Sequence, residues 1–265
     1  MAVFQQILWG YELTFPDNWV HQVAEDSDGF AATLNAFDPS YADSDAGYLL
    51  VRGEWNWKRL PIEPLWNQHI GMLAGMLGAK EVGSALWKLG TASGLEAEII
   101  LPKKDTRRLW TGILMHDFRV LHFMVAHPRE LRETFEPLAT RIISSLRFPE
   151  QVHGIELSSD GLPIPPGYSP VDPGTILSDV SNPENWRAYA GSSGIGALQA
   201  FYLRELPAHQ WELDEYLPFP GSADAGFARL QIQKGDQRIM LGLMPYDPSG
   251  QVTSSSPANI VMKMI

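Results

Sequence analysis

Residues 10–22, GYELTFPDNWVHQ, carry two opposed signals back to back. Tyr11, Leu13 and Phe15 alternate with Glu12 and Thr14, the period of a half-buried strand. Pro16 has no N–H and ends the ladder. Asp17 and Asn18 supply turn chemistry, and Trp19 brings apolar surface back toward a core. Outward from this point, residues 2–9 read as a preceding strand and Val20–Ala24 as the next. Asp26-Ser27-Asp28-Gly29 reads as a hairpin turn, followed by strands over 30–37 and 48–55.

The period then changes. Leu65, Trp66, Ile70, Leu73 and Leu77 recur at helical spacing, predicting a helix over 64–77. Gly71, Gly75 and Gly78 each cost about 1 kcal/mol against alanine. Such a helix must be held by packing or must admit another backbone closely. Residues 85–101, 107–116 and 119–126 read as three strands, the last two joined at His116-Asp117. A helix over 128–146 follows, with Leu131, Phe135, Leu138, Ile142 and Leu146 as its apolar stripe. Pro137 lies inside the stripe and is expected to kink or divide it.

The first 148 residues therefore predict an antiparallel sheet with two helices. YELTFPDNW, the long meander and the terminal ISSLRF resemble the PsbP/Mog1-type superfamily over roughly residues 5–148. The resemblance implies an αβα sandwich with a curved antiparallel sheet and no shared catalytic machinery. Relatives of that type are assembly factors, regulators and lipid-anchored periplasmic proteins, and the resemblance transfers no functional residue.

Residues 149–173 hold six prolines and read as a stiff linker. Beyond it, residues 174–265 predict a smaller α+β domain in βαββββ order. Its strands fall at 185–190, 211–217, 226–233, 238–244 and 259–265, with a helix over 195–206. The whole is expected to be an α+β protein of two domains, 1–148 and 174–265.

Composition narrows the function classes. Forty-five per cent of residues are hydrophobic and 19% charged, enough for packed cores. The formal net charge is -11, with 19 acids against 14 bases through residue 150 and 12 against 6 beyond it. That field repels phosphate backbones, which argues against nucleic acid as a partner. The chain has no cysteine, so disulfides, thiolate nucleophiles and zinc–thiolate sites are excluded. No apolar run approaches the length of a membrane span. The opening MAVFQQILWGYEL lacks the basic and apolar regions of an export signal, so the expected location is cytoplasmic.

Motifs of chemistry are sparse. Gly191-Ser192-Ser193-Gly194-Ile195-Gly196 precedes a helix, as dinucleotide-binding turns do, but the chain after it lacks βαβ alternation. No cofactor is expected there. His116 and His122 flank the predicted hairpin turn and are expected to meet across it, beside Asp117, without an evident third metal ligand. Asp26 and Asp28, and Asp38, Asp43 and Asp45, precede glycines without meeting the calcium-loop rule, and no metal is expected. The remaining candidate is Glu54-Trp55-Asn56-Trp57-Lys58-Arg59. Trp55, Trp57, Lys58 and Arg59, with Trp66 close behind, would form a partner-binding patch of aromatic and cationic anchors. The expected function is a non-enzymatic binding or assembly module for a protein or small ligand, in a cleft between the domains or as part of an oligomer. The alternative is a hydrolase using unpatterned Asp, Glu and His groups at that cleft.

Overall fold

The computed structural model describes residues 1–24, 27–37, 46–101, 107–150, 152–178, 180–221, 226–246 and 250–265. The chain forms two compact units. The first comprises 1–5 and 11–148, the second 6–10 and 149–265. No helix among the described residues is long and apolar enough to cross a membrane.

In the first unit β1 (Ala2–Gln6) pairs with β2 (Tyr11–Phe15). A seven-stranded sheet is built from β3 (Val20–Ala24), β4 (Ser27–Ala31), β5 (Tyr48–Trp55), β6 (Lys80–Leu89), β7 (Ala92–Ile100), β8 (Arg107–His116) and β9 (Arg119–Pro128). Its order is β3-β4-β5-β9-β8-β7-β6, antiparallel throughout. Helix α1 (Ile62–Leu77) connects β5 to β6, and α2 (Arg132–Ser144) follows β9.

The strand register explains the two layers. Leu109, Ile113, Val120, Ala126, Ala97 and Ile99 form one apolar face and pack with Leu65, Trp66 and Leu73 of α1. The opposite face meets α2 and the β1–β2 hairpin. There Phe135 stacks on Trp19, Phe4 and Phe15 lie against Phe30, and Glu12 exchanges backbone hydrogen bonds with Arg147. The YELTF strand is thus fastened to the end of α2, and the sheet lies between helices as the αβα expectation requires.

Several local expectations change. The strand expected over 85–101 is two strands, β6 and β7, joined at Gly90-Thr91, where Gly90 takes a left-handed φ of 58°. The strand expected over 30–37 is Ser27–Ala31, followed by a 3-10 turn over Leu34–Phe37. Ser27, Asp28 and Gly29 are therefore strand residues, not a turn. Gly29 is required because a Cβ there would sit 2.7 Å from the Phe37 ring. Pro137 neither divides nor ends α2, which runs through it as one helix. Gly71 and Gly75 of α1 admit no close neighbour: a Cβ at either would meet nothing within 4 Å.

The second unit contains β10 (Glu156–Leu157), β11 (Pro163–Ile164), β12 (Ser169–Val171), β13 (Trp186–Ala190), α3 (Ile195–Ala208), β14 (Glu212–Leu217), β15 (Ala228–Lys234), β16 (Gln237–Pro245) and β17 (Ala258–Met264). Its main sheet has the order β12-β13-β17-β16-β15-β14, again antiparallel. The proline-rich stretch is not a connector. Leu162, Ile164 and Tyr168 enter the core with Leu198, Phe201, Trp211, Leu241 and Ile260, and Trp211 Nε1 donates to the Gly161 carbonyl. The prolines hold that stretch extended while the apolar residues between them are buried. Ile7 and Leu8 pack on the same core, and Arg204 donates to both of their carbonyls.

The glycine-rich turn before α3 also has a packing role. The Ile195 and Gly196 amides donate to the Ser256 and Ser254 carbonyls, so donors that would cradle a phosphate are already engaged. A Cβ at Gly191 would meet the Tyr168 ring at 2.6 Å, and one at Gly194 the Ser255 carbonyl at 3.0 Å.

Candidate functional site

In the first unit, a cleft of about 210 Å³ opens between α2 and the outer strands of the seven-stranded sheet. The register places its floor. Val82, Glu98, Trp110 and Val125 form one row across β6, β7, β8 and β9; Ala85, Glu96, Gly112 and Phe123 form the next. Trp87 lies edge-on to both Trp110 (5.5 Å) and Phe123 (5.1 Å). Glycine at 112 makes room for this arrangement, since a Cβ would lie 3.0 Å from both indoles. Glu136, Thr140 and Ser144 of α2 form the facing wall.

The polar groups are oriented by hydrogen bonds. Trp110 Nε1 donates to Glu96 at 3.1 Å. His127 is buried and its Nδ1 lies 2.7 Å from the Pro128 carbonyl, which only accepts. Nδ1 therefore carries a proton, and Nε2 faces the Glu136 carboxylate at 3.3 Å. Glu136 also accepts from Arg132 Nε at 3.3 Å. Arg108 enters the cleft with its Nε fully buried and without a hydrogen-bond partner among the described residues. A buried donor of this kind costs about 1–3 kcal/mol. The cleft thus offers an indole surface, three carboxylates and one guanidinium. Both His127 ring nitrogens have partners, the Pro128 carbonyl and the Glu136 carboxylate. No group of three or more His, Asp or Glu placed to hold a metal ion occurs among the described residues.

The residues of the expected aromatic patch are dispersed. Trp55 ends β5 and is buried against Phe118, 5.8 Å away. Trp66 is buried on the opposite face and donates to Glu81. The chain turns after Asn56, whose side chain braces the turn by bonding both the amide and the carbonyl of Leu60. That turn holds Trp57, Lys58 and Arg59 together: Lys58 Nζ lies 5.1 Å from the Trp57 ring, and Arg59 covers Phe118 at 4.5 Å. The acids Asp26, Asp38, Asp43 and Asp45 lie outside the described residues. Asp28 is buried and accepts from Tyr11, with His21 at 3.0 Å.

His116 and His122 do not meet. The turn at Asp117-Phe118 pairs His116 with Arg119, and His122 with Ile113. The two histidines therefore point to opposite faces of the sheet. His116 stacks on Phe148 at 4.1 Å, and its pKa is lowered by burial and then by Arg119. His122 instead meets His69 of α1, Nδ1 to Nδ1 at 3.2 Å, and lies 2.8 Å from Glu54. Thr111 donates to the Phe123 carbonyl, so it accepts from His69 Nε2 at 2.7 Å. His69 Nδ1 is then bare and accepts from His122. Burial pushes the His69 pKa down to about 3, and His122 beside Glu54 holds that carboxyl below its usual range. One signal for this network was present in the sequence: His69 stands three residues after Trp66 and four before Leu73, on the buried stripe of α1.

No family model matches the chain, and no curated protein matches it. Among solved structures it is similar to the cyanobacterial PsbP (CyanoP) of Synechocystis sp. PCC 6803. That match has 12% identity and a TM-score of 0.42, over 56% of this chain and 92% of that one. It is similar to LpqN, involved in cell envelope biogenesis of Mycobacterium tuberculosis, at 15% identity and a TM-score of 0.40, over 52% and 83%. A protein from Bacteroides thetaiotaomicron is similar over 91% of this chain and 86% of its own, at 10% identity and a TM-score of 0.39.

Proposed function

We propose that this protein is a non-enzymatic binding module that takes its ligand in the cleft between α2 and the outer strands of the first unit. The observation that supports this reading is the state of the polar groups there. Glu96, Glu136 and His127 are held by neighbours in fixed orientations, which suits recognition, and Arg108 lines the same cleft. Fixed polar groups on an indole floor reduce the ordering cost of binding. An extended polypeptide segment of a partner protein supplies donors for the carboxylates and apolar surface for the indole floor.

The test uses Thr140, an exposed residue on the α2 wall. Twelve-residue peptides selected from a displayed random library against the whole protein are re-measured against Thr140→Arg, which fills the cleft from its rim. Loss of tenfold or more in affinity is expected. Peptides that bind both proteins equally would place the recognition surface elsewhere and end this reading.

A further inference from the structure

The outermost strand, β6, is ten residues long and has no strand beyond it among the described residues. Residues 80–86 are exposed, Leu86 at 79% and Val82 at 46%. The opposite edge of the same sheet, β3, has half that length. A long edge strand carrying exposed apolar side chains is a template for another strand, and proteins normally shorten, charge or cover such an edge. The chain blunts one end of β6 only. A bulge between Val82 and Ser84, with Gly83 at a φ of 60°, interrupts the first part. Residues 84–89 remain regular.

We infer that residues 84–89 of β6 receive an extended segment of a partner protein whose side chains alternate basic and apolar. This shares the binding role proposed above but not its site, and names the ligand's chemistry. The register dictates the alternation. On the α2 face, Ala85 lies beside Glu96, with Glu98 in the neighbouring row and Glu136 on the wall above. A strand added beyond β6 stands two strand spacings from β7, about 9–10 Å. Ala85 is too small to block that path. A lysine or arginine reaching inward over it meets the Glu96 and Glu98 carboxylates. On the α1 face the next residue of the added strand lies beside Leu86, whose exposed side chain calls for an apolar neighbour. Main-chain hydrogen bonds supply affinity and the alternate side chains supply specificity.

A second copy of this chain fits the edge less well. Two β6 strands paired about a two-fold axis would continue one sheet and set two rows of glutamates on the same face. The bulge would also throw the alternation out of step beyond residue 84.

The test uses the whole protein and a fluorescein-labelled synthetic peptide of eight residues alternating lysine and valine, with binding read by anisotropy. Two further peptides carry N-methyl groups on every lysine or on every valine, which removes the donors along one edge of the strand at a time. Expected results are tenfold weaker binding when glutamate replaces lysine in the peptide, reversal of that preference in Glu98→Lys, and loss of binding for one N-methylated peptide but not the other. Equal behaviour of the two methylated peptides overturns strand addition. So does a protein that sediments as a dimer with β6 amides protected from exchange. Binding that survives Thr140→Arg yet fails with one methylated peptide upholds the edge and removes the cleft, so the two proposals fail separately.

Discussion

His69 shows what burial does to a single side chain. Its folded pKa of about 3 lies below the ordinary 6.5, with desolvation the largest cause and His122 the next. The unfolded chain therefore binds the proton first as pH falls. The stability of the first unit is complete above pH 6.5 and declines below it, by roughly 2 kcal/mol at pH 5 from this group. Urea midpoints at pH 7.5 and 5.0 are expected to differ less in His69→Gln, which cannot charge but can still donate to Thr111. Equal pH dependence in the two proteins would contradict the account. Tyr202 makes the converse case. Its hydroxyl is buried and has no hydrogen-bond partner among the described residues. Tyr202→Phe removes an unpaired polar group, so stability is expected to hold or rise by about 1 kcal/mol, and thermal denaturation reads the change directly.

At the scale of elements, three glycines in the first unit are alike in sequence and different in place. Gly94 in β7 faces backbone: a Cβ would lie 1.8 Å from the Ile113 carbonyl oxygen. Gly112 in β8 faces two indoles that can yield, and Gly71 in α1 faces open space. Gly94→Ala is expected to cost about 2–3 kcal/mol or more and Gly112→Ala less. Gly71→Ala is expected to stabilise by about 0.5–1 kcal/mol through helix propensity. Denaturant midpoints of the three variants check the order. Element order and type were largely legible because side-chain period reports directly on exposure. The break at Gly90-Thr91 was not, since Leu89 and Ala92 continue the apolar run straight through it. The histidine meeting was misread because face assignment depends on which residues form the turn. A two-residue turn at 117–118 puts His116 and His122 on opposite sides. The cleft was illegible for a related reason: Trp87, Glu96, Arg108, His127 and Glu136 come from five elements, and only the register brings them together.

At the scale of the whole molecule, the path of the chain matters more than a cut at residue 148. Residues 6–10 belong to the second unit while their neighbours on both sides belong to the first. A fragment of residues 149–265 loses Ile7 and Leu8 from its core and leaves the Arg204 guanidinium without two of its carbonyl acceptors. Such a fragment is expected to unfold at lower urea than the second unit within the full chain. A synthetic peptide of residues 1–10 is expected to restore part of the difference. No shift in midpoint on adding the peptide would show that this segment contributes little. Six prolines disguised the extent of this unit, because composition reports on chain stiffness and not on where the residues between the prolines point.

The same threading sets an order of events at the ribosome. Ile7 and Leu8 leave the exit tunnel well before α3, whose Arg204 holds their carbonyls and which is made nearly two hundred residues later. Nascent chains would hold this apolar pair unsheltered throughout that interval, and the second unit would close only once β17 has been made.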